Sequence, residues 1–329
     1  MAGANGESFA EGADVTLPKM AGLHLGESTV ERVSEEAGEI LGEELQQGKT
    51  YGEAKDFDWH KDANGQTVAY VGIDGTGVPQ QGPKGAKAEG RMPFVAMIYN
   101  PPPEEERRPP GAKPAVMQAR YLAGLCTLPL LGLLLRKQAA QVGMERAAVW
   151  VGLSDGGAGL EDFLRTNFNR PDMAVILDFY HPASRLEELA KLWHEGDDER
   201  AKEAATNWCK VLKHQGGEKL LEQLRSLPPP RRKAAAEKYR EMLGYVENHK
   251  HKMDYPQYLK RDWQIGSGPV ESACKTVVGQ RLKLAGMRWG ESGTDNVCHL
   301  RALLRSGGAQ WDSFWQRRIN TGSLTYQPK

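Results

Sequence analysis

Two apolar runs, each ending in an acid followed by glycine, constrain this chain more than any other feature. Gln66–Ile73 (Gln-Thr-Val-Ala-Tyr-Val-Gly-Ile) leads into Asp74-Gly75, and Ala147–Leu153 (Ala-Ala-Val-Trp-Val-Gly-Leu) leads into Ser154-Asp155-Gly156. Short continuous apolar runs rich in β-branched residues read as buried strands. Met92–Tyr99, after a glycine-rich connection over 75–90, reads as a further strand of the same sheet, and Met173–Leu177 as another that ends at Asp178. Helical patterns lie between these runs, so the expected class is α/β with a mixed sheet.

The rest of the chain reads as mostly helical. Ala10–Gly22 ends at a glycine, Leu23–Gly26 turns, and Ser28 is expected to cap a second helix through about Glu44. That outline over residues 1–60 is helix-turn-helix-like. This second helix carries Glu27, Glu31, Glu35, Glu36 and Glu39 against the single Arg32, which suits a packing helix better than a reader of DNA. Asn100–Pro114 holds six prolines and reads as a surface loop. Val116–Gly143 reads as a helix broken near Pro129, Gly159–Phe168 as a short helix, and Pro182–Met253 as a charged helical block interrupted at Pro228-Pro229-Pro230. Pro269 suits the first turn of a later helix. Trp311 and Trp315 read as core of a C-terminal helix.

A chain of 329 residues with 40% apolar content can bury one large core or two modest ones. Its longest apolar stretch, Leu122–Leu135, is too short to span a bilayer, and the first residues lack the basic region of a signal peptide. Four scattered cysteines without metal-type spacing fit a reducing, cytosolic setting. Formal net charge is +0, but thirteen acids face four bases in residues 1–60, whereas twelve bases face six acids in 250–318. A polyanion would be drawn to the latter half.

Asp74, Asp155 and Glu271, the last in Gly266-Ser267-Gly268-Pro269-Val270-Glu271, outline a carboxylate cluster suited to two magnesium or manganese ions. Phosphodiester chemistry of this kind uses one ion at the attacking oxygen and one at the leaving oxygen. Strand ends fix such acids, and magnesium accepts hard oxygen ligands while keeping waters. Each acid also has a plainer reading: Asp-Gly after a strand is commonly a turn, and Glu271 with Lys275 would make an ordinary i,i+4 pair. Asp178 and His181 form either a buried polar pair or a metal pair of their own.

Four segments together resemble bacterial insertion-sequence transposases of the DDE class, nearest the ISKra family with its Mutator-like relatives. They are Gly72-Ile73-Asp74-Gly75-Thr76-Gly77, Ser154-Asp155-Gly156, Ile176–His181 and Ile265–Lys275, joined by Arg281-Leu282-Lys283 and Gly286-Met287-Arg288-Trp289. The resemblance spans about Phe9 to Trp315. It implies a ribonuclease H-like core over 61–181, a helical insertion domain over 182–260, and a return to the core over 261–329 with the last acid. It makes Asp74, Asp155 and Glu271 catalytic and metal-binding. Asp178 is the alternative second acid; Asp178-Phe179-Tyr180-His181 fits better the C/DxxH motif that follows the second acid in Mutator-like relatives. It further implies DNA contacts from Lys275, Arg281, Lys283, Arg288 and Trp289, and an assembly of at least a dimer on terminal inverted repeats and target DNA, in the bacterial cytoplasm at the nucleoid. Family members carry additional N-terminal DNA-binding sequence, so the resemblance also implies a shortened copy. The alternative is a non-catalytic DNA-binding regulator or inhibitor derived from a transposase.

Overall fold

The computed structural model describes residues 1–102 and 117–320. Most of the expected Asn100–Pro114 loop lies outside the described residues. The chain opens with α1 (Ala2–Asn5), α2 (Phe9–Glu11) and α3 (Leu17–Ala21), with a π-helical turn at Gly12–Thr16 joining the last two. Gly22, at φ +63°, ends this run in the left-handed conformation that suits glycine. α4 (Glu27–Gln46) follows, capped by Gly26 rather than the expected Ser28. It buries Val30, Ala37, Leu41 and Leu45, and Gly38 lies directly against the backbone of Asn296. α4 is therefore a packing helix, and its acidic side faces solvent.

The next elements are β1 (Val68–Gly75), β2 (Val78–Gln81), β3 (Lys87–Arg91), β4 (Phe94–Asn100), β5 (Gln118–Gly124), α5 (Leu128–Gln141), β6 (Val149–Ser154), α6 (Leu160–Asn167) and β7 (Ala174–Leu177). Five strands form one mixed sheet in the order β5-β4-β1-β6-β7. β4 runs antiparallel to both β1 and β5, while β1, β6 and β7 are parallel. Two expectations are corrected here. Residues 118–124, expected within a helix, form the edge strand β5 against β4. Pro129 does not break a helix; it sits in the first turn of α5, where its missing N–H costs nothing. β2 and β3 form a separate two-stranded ribbon inside the stretch read as a connection.

Helices α7 (Tyr180–Trp193), α8 (Asp198–Ser226), α9 (Lys233–His249) and α10 (Tyr255–Lys260) make up the expected helical block. α11 (Gly268–Ala273) continues through a π-helical turn, Cys274–Gly279, into α12 (Gln280–Leu282); α13 (Glu291–Arg305) and α14 (Gln310–Asn320) follow. Alternate residues of β1 feed two cores. Val68 and Tyr70 join the helical block through residues such as Leu186, Trp208 and Leu220. Ala69, Val71 and Ile73 pack with α5 and α6 through Leu131, Leu135 and Leu164. Both faces of the sheet are covered, which is why its central strands are apolar at every position. Trp311 and Trp315 are partly buried against the second core. Among the described residues no helix is long and apolar enough to cross a membrane.

Candidate active site

The parallel register sets three acids side by side at the carboxyl edge of the sheet. Gly72 pairs with Leu153 and Ser154 with Leu177. Asp74 and Asp155 therefore each lie two residues past the paired Gly72 and Leu153, and Asp155 and Asp178 each follow the paired Ser154 and Leu177. The sheet changes direction at β1, with antiparallel β4 on one side and parallel β6 on the other. The crevice beyond strand ends at such a point is where open α/β sheets bind ligands.

Glu271 reaches this edge from the far end of the chain. Ser267 caps α11, whose first turn holds Pro269 and Glu271. α11 lies flat on β1 because residue 72 is glycine; a Cβ there would overlap Val270 Cγ2. The Ser267 hydroxyl donates to Glu271 Oε1 at 2.9 Å, fixing the carboxylate over the strand end. Asp74, Glu271, Thr76, Cys274, Lys275 and Lys283 line one open cleft of about 390 Å³.

Within it, Asp74 Oδ1 accepts the Gly75 N–H at 2.7 Å, and Oδ2 accepts the Cys274 thiol at 3.7 Å. Burial raises the Asp74 carboxyl above the usual aspartate range. The charges of Asp155 and Glu271 push the same way, against the lowering effect of the Gly75 and Cys274 hydrogen bonds. Asp74 is thus the acid on which both others act. The Cys274 thiol is pushed up to about 12 by burial and by the Asp74 carboxylate, which leaves it an un-ionised donor.

Asp155 sits in a turn that requires Gly156 at φ +84°. Its Oδ1 accepts the Gly157 N–H at 2.8 Å, and its Oδ2 lies 3.4 Å from His181 Nε2. Its side chain is 29% exposed, whereas Asp178 is 1% exposed. Asp178 Oδ1 accepts N–H groups from Ser267 at 3.0 Å and Tyr180 at 3.3 Å, and Oδ2 accepts that of His181 at 3.2 Å. Its oxygens are spent on backbone. Asp178 joins the β7 end to the start of α11, while His181 belongs to Asp155. Glu271 and Lys275 form no ion pair; the π-helical turn begins between them.

Two residues expected to touch DNA are interior. Arg281 is 1% exposed and Trp289 8%. The Arg281 guanidinium lies 4.4 Å from the Phe9 ring centre and 4.8 Å from that of Trp289, and its Nε donates to the Gly3 carbonyl at 3.1 Å. Trp289 Nε1 donates to the Leu282 carbonyl at 3.2 Å. Neither presents a surface to a phosphate or a base. Lys275, Lys283 and Arg288 are exposed, and Lys283 Nζ donates to Thr76 Oγ1 at 3.0 Å across the cleft mouth.

No motif in α9 marks it as part of the site, yet it borders the turn of Asp155. Tyr245 and His249 are four apart, their ring centres 4.7 Å from each other, and both border Gly156. Arg185 covers Tyr245 at 4.5 Å. Burial raises the Tyr245 hydroxyl to about 12, with Asp155 and Asp178 contributing and Arg185 opposing. Their i,i+4 spacing puts the two rings on one helix face, but nothing in a charged helical block says which face meets an acid.

The donor chemistry fits a hard divalent cation: carboxylates with a threonine hydroxyl at the rim, and a central acid whose charge is opposed by its neighbours. Among the described residues no group of three or more histidine, cysteine, aspartate or glutamate side chains is placed to hold a metal ion. The sequence matches no protein-family model and no curated protein.

Proposed function

We propose that this chain is a DDE-type transposase that cleaves phosphodiester bonds at DNA ends and joins them to target DNA. The observation that carries the reading is Asp74, a partly buried acid whose ionised form is opposed by both Asp155 and Glu271. Bringing three acids from distant parts of a chain to one sheet edge costs free energy unless cations are bound. The parallel β1-β6-β7 half, with antiparallel β4 and β5 on the other side of β1, supports a ribonuclease H-like core; α7–α10 then stand as its helical insertion.

In this reading Asp74, Asp155 and Glu271 would hold two magnesium or manganese ions. The ions supply activation of the attacking oxygen, water or a DNA 3′-hydroxyl, and stabilisation of the leaving oxygen. The protein does the positioning. The Gly75 N–H and Cys274 thiol orient Asp74, Ser267 orients Glu271, and His181 with the Gly157 N–H orients Asp155. Lys275, Lys283 and Arg288 hold phosphates. Arg281 and Trp289 leave the DNA-contact set and serve the core beside it. Assembly on DNA as a dimer or larger complex is part of the proposal.

The test is a gel assay with supercoiled plasmid and 3′-hydroxyl oligonucleotides, with and without magnesium or manganese. Metal-dependent nicking and joined products are expected, and each of Asp74→Asn, Asp155→Asn and Glu271→Gln should abolish both. DNA binding without any metal-dependent product would instead establish the non-catalytic regulator.

A further inference from the structure

The β2–β3 ribbon begins just beyond Asp74 and stands apart from the main sheet. Its first strand is anchored. Val78 and Gln80 are 1% and 3% exposed, the Trp289 N–H donates to the Pro79 carbonyl at 3.1 Å, and the Gln81 N–H donates to the Trp289 carbonyl at 2.9 Å. Gln80 Nε2 donates to Thr294 Oγ1 at 3.0 Å. The second strand, Lys87–Arg91, is open to solvent almost throughout. One strand thus fixes the ribbon to the core and the other presents outward.

The charge it presents is positive on balance: Lys84 and Lys87 outnumber the exposed Glu89, while Arg91 is paired with Glu291 at 2.6 Å. Lys84 lies at the turn and Lys87 on the outer strand, with Arg288 beside the anchoring Trp289. None of these three has an ion-pair partner among the described residues. Some surface bases elsewhere are paired: Lys219 with Glu222 at 2.7 Å, Arg225 with Glu247 at 2.6 Å, Lys238 with Glu188 at 2.6 Å. Five strand residues reach roughly 16 Å at about 3.3 Å per residue, and a major groove about 12 Å wide admits a two-stranded ribbon.

We propose that the β2–β3 ribbon docks duplex DNA, with Lys84 and Lys87 on phosphates flanking the strand that crosses Asp74. The inference rests on the functional reading above for the nature of the partner, and its test is independent of catalysis. Lysine on an exposed strand also prevents edge-to-edge pairing. Glutamate serves that purpose equally well and inverts the attraction for DNA.

The experiment measures anisotropy of a short labelled duplex with the full chain, without divalent metal, over a salt series. Lys84→Glu/Lys87→Glu should weaken binding at least about tenfold near 0.1 M salt and lower the log–log salt slope by about 2, at roughly 0.9 per lost phosphate contact. Lys84→Gln/Lys87→Gln should give the same slope change with a smaller loss of affinity, and Lys219→Glu on α8 should change neither. Unfolding curves matching wild type establish that the variants fold. Binding by the Glu variant with wild-type affinity and slope would overturn the inference, as would a wild type that does not bind duplex. Loss of binding in the Glu variant while wild type shows no metal-dependent cleavage would uphold the ribbon and remove the catalytic reading. Cleavage by wild type with unchanged binding by the variant would do the reverse.

Discussion

Asp178 accepts the backbone N–H of Ser267 at 3.0 Å, so the end of β7 holds the residue that caps the helix of Glu271. An acid used in this way is structural. Asp178→Ala leaves the buried N–H of Ser267 and the part-buried N–H groups of Tyr180 and His181 without an acceptor and should cost about 2–4 kcal/mol. Asp155→Ala, at a partly exposed turn, should cost about 1 kcal/mol or less while removing cleavage. Urea unfolding of both variants beside the nicking assay separates the two acids. Equal loss of stability in both would sink the assignment.

The raised carboxyl of Asp74 has a sign that stability measurements read directly. Because the folded protein favours the protonated form, the contribution of this group is present below the unfolded value of 3.8 and is lost as pH rises through the folded one. At neutral pH and without divalent metal the ionised side chain therefore weakens the fold. Asp74→Asn should raise the melting temperature at pH 7 and change it little near pH 3. Added magnesium should stabilise wild type and leave the variant unmoved. A variant less stable than wild type at pH 7 would contradict this account.

Glu161 behaves oppositely. Burial pushes its carboxyl up, but hydrogen bonds from Lys252, Arg165 and His251 outweigh that and hold it at about 2. The Lys252 ammonium is 3% exposed and 2.7 Å from Glu161, so this pair ties α6 to the segment after α9. Its stabilisation is full above the unfolded value of 4.5 and fades as pH falls towards 2. Glu161→Gln strands a buried ammonium and should cost roughly 3 kcal/mol at pH 7. Acid titration of stability should be flatter below pH 4.5 in the variant than in wild type.

Arg281 and Lys283 are two residues apart and should differ in kind. Arg281→Ala removes a guanidinium packed against both Phe9 and Trp289, at a cost of about 2–4 kcal/mol, and the folded fraction should keep the wild-type salt slope for DNA. Lys283→Ala should leave stability within about 0.5 kcal/mol and lower that slope by about 0.9. Calorimetric melting and anisotropy on the same samples read both quantities.

Gly72→Ala tests the seating of α11. The added methyl meets Val270 and lifts Glu271 from the strand end. A displacement near 1 Å should cost about a hundredfold in cleavage, while Ser272→Ala on the exposed side of the same helix should cost little.

The central strands were legible because burial on both faces writes itself as an unbroken run without charged side chains, from Val68 to Ile73 and from Val149 to Leu153. The acids were legible because each follows such a run, or opens a helix behind Gly-Pro. The strand β5 was not. Gln118–Gly124 is Gln-Ala-Arg-Tyr-Leu-Ala-Gly, a composition at ease in a helix, and only pairing with β4 and cover from α13 make it extended. The ribbon escaped notice because Pro79, Gly82 and Gly85 look like loop, and its pairing depends on the distant Trp289. The same distant contacts misled the reading of Arg281 and Trp289. A basic residue near an aromatic one resembles a DNA contact until Phe9, from the other end of the chain, packs against both of them.

The helix bearing Glu271 is laid on β1 only after the whole helical block has been made. During synthesis the sheet, Asp74 and Asp155 leave the ribosome well before the third acid exists. On the proposed reading, a nascent or prematurely terminated chain would therefore lack the third acid and could not complete the site.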